Sequence, residues 1–341
     1  MKTGNKYITF IRAYIKSMRL YYSFITGISG LIGLSFYQYL AYSGDDKTFF
    51  GFNHTIETPT PLPKLLLILI ILFLSWGINQ IYNDYLGLKE DRINAPDRPM
   101  VSGELNPLAA VFVSTMLMII AFCLTWFFLE TEAIIPLIIG VGLNILYEYA
   151  KGYGLWGNII FGFMISTCSM YGFLASGKSD ISLFSLSQIL LIVYIALING
   201  LMTFYTYFKD YEGDKAVGKK TIIVRMGLVK SQKLSIIASF LPLAVFLIFY
   251  YGIGAWHFEL NGIFLVLGLL ATGLQIWTGY LYFINPKGEM TYFSLAMNFR
   301  ACTCSESALI SVFNPALGVV LFLMSYFFIG FLFNFHVNRK G

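Results

Sequence analysis

Charge is scarce in this sequence. Asp, Glu, Lys and Arg make up 12% of its 341 residues, whereas soluble domains carry roughly 25%. Hydrophobic residues account for 57%, and the mean hydropathy is +0.70. This balance excludes an ordinary soluble domain and implies no nucleic-acid partner. The composition predicts an integral membrane protein that crosses the lipid bilayer several times.

Histidine and cysteine are also rare, which argues against a metal centre built from those two residue types. The four cysteines are scattered, and the closest pair, Cys302 and Cys304, has no histidine nearby. We therefore expect reduced thiols without a metal role. No role is assigned to the three histidines, at positions 54, 257 and 336. The tripeptide at 53–55 matches a glycosylation pattern, but such tripeptides are common by chance.

An apolar signal-peptide core is missing from the start of the chain. The first 19 residues are basic and amphipathic, which predicts an interfacial helix on the inner leaflet instead of a cleavable signal. The remainder contains no low-complexity segment and no soluble stretch. Residues 1–341 are therefore predicted to form a single membrane domain, and no protein partner is implied.

Long apolar runs dominate the rest of the sequence. A helix needs about 17 to 25 apolar residues to cross a bilayer, and nine runs approach or reach that length. We therefore predict an all-α polytopic bundle of about nine transmembrane helices. The runs cover 20–41, 65–83, 107–129, 133–149, 155–176, 184–208, 234–252, 262–284 and 315–335.

Basic residues concentrate in alternate loops, which sets the expected orientation. The loops that follow the second and sixth runs are basic and carry acidic motifs, so the motifs are expected to face the cytoplasm, in a bacterial inner membrane. Nine crossings would leave the basic pair Arg339-Lys340 outside. Either one run is miscounted, or the weaker amphipathic stretch 290–313 also crosses.

The two acidic motifs lie at the ends of the second and sixth runs. Residues four apart share one face of a helix, so Asn79, Asn83, Gly87 and Asp91 form one stripe. Asp210 and Asp214 form a second pair. Hard oxygen donors spaced one turn apart can bind Mg²⁺ and leave coordination sites for phosphate oxygens. Two such helix ends facing each other would hold a diphosphate between metal ions.

Cations follow each acidic motif along the chain. Arg92 and Arg98 come after the first motif, and Lys215, Lys219 and Lys220 come after the second. Such side chains can neutralise phosphate oxygens. The alternative interpretation is a set of solvated loop charges without function, as most charge clusters are.

These residues together resemble the UbiA superfamily of intramembrane prenyl diphosphate enzymes. The first motif, 83–91, and Arg98-Pro99 with Ser102-Gly103 match two family elements. The pair Asp210 and Asp214, trailed by Lys215 and Thr221, matches a third. A further family element, a Tyr and a Lys ahead of a Gly-Asn pair, matches Tyr147, Lys151, Gly157 and Asn158. The resemblance covers roughly residues 15 to 335, and it implies a nine-helix bundle with a central cavity open laterally to lipid.

The resemblance also implies roles for individual residues and a cofactor. Two or three Mg²⁺ ions would bind a prenyl diphosphate substrate, with catalytic roles for Asn83, Asp91, Asp210, Asp214 and Tyr207. The expected metal ligands are Asn83, Asp84, Asp91, Asp210 and Asp214. Substrate binding is expected from Asn79, Arg92, Arg98, Lys151, Tyr147, Asn158, Lys215, Arg19 and Tyr205.

Two positions depart from the family pattern. Gly87 stands where the first motif carries its middle aspartate, and Tyr207 stands where many prenyltransferases carry a further aspartate. The resulting pattern is similar to that of the branch that cyclises prenyl diphosphates. We therefore expect a terpene cyclase acting on a C15 or C20 substrate. A prenyltransferase with an aromatic, quinone-precursor or lipid-alcohol acceptor is the alternative, and a non-catalytic membrane protein or transporter is a third.

A cyclase needs aromatic faces that stabilise a carbocation in a dry pocket. In a chain this rich in Phe and Tyr, most aromatic residues are expected to face lipid or to pack between helices. The candidates for the pocket are Trp76, Tyr82, Trp156, Phe161, Phe163, Tyr171, Phe204, Tyr205 and Tyr207.

Overall fold

The computed structural model describes residues 6–43, 58–178, 185–254, 256, 260–288 and 290–337. The glycosylation-like tripeptide at 53–55, the histidine at 257 and the basic pair at 339–340 fall outside these ranges. The described residues are almost entirely helical. The α-helices are α1 Lys6–Met18, α2 Phe24–Ser43, α3 Leu62–Leu86, α4 Leu88–Asn94, α5 Pro99–Ser102, α6 Pro107–Phe128, α7 Ile134–Ala150, α8 Trp156–Ser176, α9 Leu186–Lys209, α10 Tyr211–Ala216, α11 Ile222–Met226, α12 Leu228–Ser239, α13 Leu241–Leu247, α14 Gly262–Ile284, α15 Met290–Phe313 and α16 Pro315–Val337.

Nine helical segments of the described chain are long and apolar enough to cross a membrane. They correspond to the nine predicted runs, and the all-α polytopic bundle is confirmed. In the seventh segment, α12 ends at Ser239 and α13 begins at Leu241, next to Pro242, because proline cannot donate the backbone hydrogen bond that continues a helix. A π-helical turn, Ile248–Gly252, extends this segment.

Helix α15 is the polar stretch whose crossing was in question. Its 24 residues give a length of about 36 Å, enough for a hydrocarbon core of roughly 30 Å. It packs against α2, α9, α14 and α16 in the interior of the bundle. Neighbouring helices therefore shield it from lipid, so it can span the bundle without being apolar. With the nine apolar segments, α15 gives ten helical segments of spanning length among the described residues, and the end of α16 lies on the side of the acidic motifs, where Phe333 contacts Tyr22.

Buried polar contacts fix α15 in place. Ser29 Oγ donates to Glu306 Oε1 at 2.6 Å, and Asn199 Nδ2 donates to the same oxygen at 2.7 Å. Asn298 Nδ2 donates to the Met202 carbonyl at 2.8 Å. Hydrogen bonds of this kind join helices in a membrane, where the hydrophobic effect contributes little to helix association. They tie α15 to α2 and α9 across the centre of the bundle.

Helix α16 covers the outer side of α15 and reaches the start of α2. Arg300 Nε donates to the Tyr326 carbonyl at 2.8 Å, and the guanidinium lies 4.8 Å from the centre of the Tyr326 ring. Phe333 contacts Phe299 and Tyr22, with ring centres 5.7 and 5.8 Å apart. The last described helix therefore closes the face between α2 and α15.

Small residues allow α2 and α8 to approach closely. A methyl group on Gly33 would lie 1.9 Å from the Ser169 carbonyl oxygen, and one on Gly172 would lie 2.1 Å from the Gly30 carbonyl oxygen. Contacts between backbones at this distance are typical of membrane helices that pack through glycine. Helices α2 and α8 therefore form a closely packed pair within the bundle.

A short parallel pairing of strands β1 Tyr153–Gly154 and β2 Lys220–Thr221 joins two loops at the motif end of the bundle. The first loop follows α7, and the second follows α10. This pairing holds the loop cations close to the ends of α7 and α9.

Candidate active site

A polar chamber of about 860 Å³ lies at the motif end of the bundle. The ends of α3, α7 and α9, together with α4 and the first half of α15, surround it. Its charged and amide side chains come from both halves of the chain. They are Arg19, Gln80, Asn83, Asp84, Glu90, Asp91, Asn94, Arg98, Glu148, Lys151, Lys209 and Asp210.

One side of the chamber is an ion-pair network on α3 and α4. Asp84 is 1% exposed, and it pairs with Arg19 and Arg98. Gln80 Nε2 also donates to Asp84, at 3.0 Å. Arg98 in turn pairs with Asp91. Burial raises the pKa of Asp91 to about 6, although the nearby Arg98 guanidinium lowers it in part.

The helical stripe of the first motif brings three of its four residues to the chamber. Gly87 bends the chain between α3 and α4, yet its N–H bonds the Asn83 carbonyl at 2.9 Å, and the Asp91 N–H bonds the Gly87 carbonyl at 3.0 Å. Asn83, Gly87 and Asp91 therefore stay on one face, and all three line the chamber. Asn79, one turn deeper, instead lines an apolar groove.

Arg19 has an unusual backbone conformation. It lies between α1 and α2 with φ at 47°, in the left-handed region, which costs a residue other than glycine about 1–2 kcal/mol. Its ion pair with the buried Asp84 supports this conformation. In this left-handed backbone conformation, the Arg19 guanidinium lies in the chamber lining.

The opposite side of the chamber is formed by Lys151 and the second motif. Lys151 Nζ lies 3.1 Å from Asp214 Oδ1, and Asp214 is fully buried. Burial lowers the pKa of Lys151, but the carboxylates of Asp210, Asp214 and Glu148 outweigh it and raise that pKa above its usual value. The lysine is therefore a permanent cation. Its Nζ also lies 5.7 Å from the centre of the Tyr207 ring.

The surroundings of Gly157 explain why the family element at the start of α8 contains a glycine. A methyl group there would lie 2.5 Å from the Tyr207 hydroxyl oxygen and 2.8 Å from Lys151 Cα. Only a residue without a side chain allows both to approach. Asn158, next to it, donates to the Gly200 carbonyl at 3.2 Å, so its amide joins α8 to α9.

Several of the expected ligands lie away from the chamber lining. Arg92 and Lys215 are exposed, and Lys215 Nζ lies over the Tyr211 ring at 5.6 Å. Tyr205 is fully buried, and its hydroxyl donates to the Ser235 carbonyl at 2.7 Å. None of these three side chains is part of the chamber lining. Substrate contact by them stays a prediction.

Sequence reasoning missed Glu90, Glu148 and Asn94. Lys219 pairs with both Glu90 and Glu148, and Asn94 bonds the loop of the second motif. Glu90 lies within the first motif, Asn94 lies in the run that follows it, and Glu148 lies between the expected Tyr147 and Lys151. Their positions in or beside the motifs were the only sign of a role in the sequence. The spacing did not predict which residues they would contact.

Aromatic rings form the deep end of the chamber. Tyr22 stacks on Phe299 with ring centres 4.6 Å apart, and Phe161 meets Tyr147 at 5.2 Å. Trp76 lies edge-on to Phe161 at 6.5 Å. Among the aromatic candidates, Trp76 and Phe161 line the chamber, and Tyr171 lines the groove. Trp156 and Phe163 are exposed. The others make contacts elsewhere: Tyr82 bonds Thr115, Phe204 packs beside Tyr205, and Tyr207 lies against Gly157.

An apolar groove of about 1090 Å³ runs deeper into the bundle from beside the chamber. It lies between α3, α6, α7 and α8, and it is lined by residues such as Ile78, Leu117 and Met164. Ile70 and Ile120 at its edge are about half exposed, at 55% and 51%. The groove is therefore accessible from the lipid side and suits a long hydrocarbon chain.

The donor atoms of the chamber fit a divalent metal ion that is shared with a ligand. No group of three acidic, His or Cys side chains in the described ranges converges on one point. Yet Asn83 Oδ1 and Asp84 Oδ2, which belong to lining residues, and Asp214 Oδ2, beside the lining residue Lys151, are buried without a hydrogen-bond partner. Buried polar atoms without a partner are costly, and hard oxygen atoms suit Mg²⁺, which keeps several non-protein ligands.

The fold and chamber define an integral membrane protein with a polar site at one end of an apolar bundle. The model of the UbiA prenyltransferase family matches residues 48–300. The chain belongs to this family, which confirms both the resemblance and the expectation of a UbiA-type enzyme.

Curated relatives of this chain are archaeal proteins named digeranylgeranylglyceryl phosphate synthase. The chain is 29% identical to the one from Thermococcus sibiricus over 67% of this chain and 77% of the relative. It is 26% identical to the one from Methanosarcina mazei over 85% of this chain and 96% of the relative. These names support the transferase alternative better than the cyclase expectation.

Solved structures share the fold. A UbiA homolog from Aeropyrum pernix matches with a TM-score of 0.61 at 18% identity, covering 87% of this chain and 98% of that chain. A UbiA homolog from Archaeoglobus fulgidus, solved with GPP and Mg²⁺, matches with a TM-score of 0.58 at 14% identity, covering 91% and 99%.

Proposed function

We propose that this protein transfers the prenyl group of a prenyl diphosphate to the hydroxyl of a lipid alcohol. The observation that carries the proposal is the chamber itself. Asp84 and Asp91 line one side and Asp210 lines the other, with Arg19, Arg98 and Lys151 among them, and the buried Asp214 lies behind Lys151, with which it pairs. The adjoining apolar groove suits the hydrocarbon part of a substrate.

The chamber residues divide by charge. The oxygens of Asn83, Asp84, Asp91, Asp210 and Asp214 would hold Mg²⁺, and the structural neighbour from Archaeoglobus fulgidus was solved with this ion. When bound, the metal supplies positive charge that stabilises the departing diphosphate. The expectation of two or three ions stays a prediction.

The cations bind and orient the diphosphate. Arg19 and Arg98 offer planar donors suited to phosphate oxygens, and Lys151 offers a point charge from the opposite side. The allylic C–O bond breaks, and its electron pair leaves with the diphosphate oxygen. The acceptor oxygen then bonds to the freed carbon, and its proton passes to the departed diphosphate. The rings of Trp76 and Phe161 keep the deep end dry during this step.

The relatives supply the acceptor class. Their name describes a product with two geranylgeranyl chains on glyceryl phosphate, so the acceptor to test is glyceryl phosphate that already carries one chain. Cyclisation remains a second candidate because of Gly87 and Tyr207. Orientation toward the cytoplasm is part of the proposal, and because the relatives are archaeal, the expected bacterial membrane stays a prediction.

The test uses the purified full-length protein in detergent with geranylgeranyl diphosphate and Mg²⁺. We expect diphosphate release that depends on the acceptor, a product that contains both chains by mass spectrometry, and loss of both signals in Asp210→Asn. A cyclic product without acceptor would establish the cyclase instead. Absence of diphosphate release under every condition would refute both.

A further inference from the structure

The missing carboxylate at Gly87 leaves a space that a neighbouring acid borders. A methyl group on Gly87 would lie 2.9 Å from the Asn83 carbonyl oxygen, 3.5 Å from Glu90 Oε1 and 3.8 Å from Asp91 Oδ2, so the backbone must shift slightly to admit a side chain, and the side-chain atoms it would then meet are the two acidic oxygens. An aspartate at this position would therefore extend its carboxylate toward the oxygens of those two residues. Asn83 precedes Gly87 by one turn on the same side of the chamber.

Glu90 is held inside the chamber although it stands at a position of the first motif that the family pattern leaves open. It is 4% exposed and lines the chamber beside Gly87 and Asp91. A buried carboxylate is retained when a cation or metal compensates it. Lys219 pairs with Glu90 and also with Glu148, so one cation compensates two carboxylates and the three side chains carry a net negative charge.

We propose that Glu90 supplies the metal site with the carboxylate that Gly87 lacks. The inference rests on the proposed function, because it assumes a divalent cation in the chamber. Glutamate is one methylene longer than aspartate and approaches from three residues further along the chain. A separate observation points to a ligand at this side: Asp84 is 1% exposed, and its Oδ2 has no hydrogen-bond partner. The ion is a small, hard divalent cation such as Mg²⁺.

Lys219 has a defined part in this arrangement. Without metal it compensates Glu90, and with metal it keeps Glu148 as its partner. The competing interpretation is that Glu90 only anchors the loop that carries Lys219. Glu148 provides the matched control, because it contacts the same lysine from the end of α7, whereas the side-chain oxygens nearest a methyl group on Gly87 belong to Glu90 and Asp91.

The experiment measures Mn²⁺ binding to the purified full-length protein without substrate, by electron paramagnetic resonance. We expect Glu90→Gln to raise the dissociation constant roughly tenfold or more, as loss of groups that support a metal typically does, and Glu148→Gln to change it by less than about threefold. The double variant Gly87→Asp/Glu90→Gln should recover most of the affinity, because the carboxylate returns to the same space. Lys219→Met should bind Mn²⁺ at least as tightly as the unaltered protein.

Several results would overturn the proposal. One is an equal loss of affinity in Glu90→Gln, Glu148→Gln and Lys219→Met, which is the pattern of a loop anchor. Another is a double variant that binds no better than Glu90→Gln, and a third is an unaltered protein that does not bind Mn²⁺. Glu90→Asp, which keeps the charge but shortens the reach, replaces Glu90→Gln if that variant does not fold. Normal metal binding without acceptor-dependent prenyl transfer would refute the proposed function alone.

Discussion

Asn94 holds the backbone of Gly213. The Gly213 N–H donates to Asn94 Oδ1 at 2.9 Å, and Asn94 Nδ2 donates to the Asp210 carbonyl at 3.3 Å. A methyl group on Gly213 would lie 2.3 Å from the Asn94 side chain. One amide at the end of α4 therefore sets the position of the second motif relative to the first.

Asn94→Ala should lower both the rate of prenyl transfer and the stability of the protein. Two hydrogen bonds of about 1 kcal/mol each are lost, so the free energy of unfolding should fall by roughly 2 kcal/mol, while misplacement of Asp210 should reduce kcat by about tenfold or more. The measurements are steady-state transfer rates and thermal unfolding in detergent. Asn94→Asp is the control, because it keeps the acceptor for Gly213 and should lose less activity. Equal rates in the two variants would contradict this assignment.

Lys151→Met should both destabilise the protein and weaken diphosphate binding. The substitution leaves the fully buried Asp214 without its cation, and breaking a buried ion pair costs about 3–5 kcal/mol. The KM for prenyl diphosphate should rise because a diphosphate contact is lost.

Lys209→Met is the matched comparison for Lys151→Met. Lys209 pairs with Asp210 at 3.3 Å, but its side chain is 31% exposed, so the loss of stability should be about 1 kcal/mol or less. A larger loss in Lys209→Met than in Lys151→Met would show that burial does not govern these pairs.

Gly33→Ala should destabilise the bundle, because the new methyl group would lie 1.9 Å from the Ser169 carbonyl oxygen and force α2 away from α8. Overpacking of this kind costs about 1–3 kcal/mol. Gly142→Ala in α7 is the control: no atom lies within 4 Å of its methyl group, and alanine favours a helix over glycine by up to about 1 kcal/mol. A thiol-reactive dye that reports exposure of the buried Cys302 and Cys304 can follow thermal unfolding of both variants.

Glu306→Ala should lower stability, and Glu306→Gln should lower it less. Alanine leaves Ser29 Oγ and Asn199 Nδ2 without their shared acceptor, at a cost of about 1–3 kcal/mol for each buried group. Glutamine keeps an acceptor oxygen of similar reach. The same unfolding assay compares the two variants, and equal losses would mean that the negative charge, and not the hydrogen bonds, is what α15 requires.

The sequence predicts what is local and periodic. The nine apolar spans follow from run length, and the face shared by Asn83, Gly87 and Asp91 follows from helical spacing. Helix α15 was ambiguous because its polar residues are buried by other helices, which hydropathy along one segment does not register. The ion pairs of Lys219 join Glu90 in α4 to Glu148 in α7, and such meetings depend on tertiary packing. Asn79 shares the stripe but lies too deep to reach the chamber.

The two sides of the chamber meet the bilayer differently. Between α2 and α15, the chamber is closed by α16, where Phe333 covers Tyr22 and Phe299. Across the bundle, the groove beside α3 is accessible to lipid. Helix α16 follows residue 300, where the match to the family ends. The closed side of the chamber therefore depends on a helix beyond the residues that the family model matches, and a lipid molecule can reach the site from the side of α3.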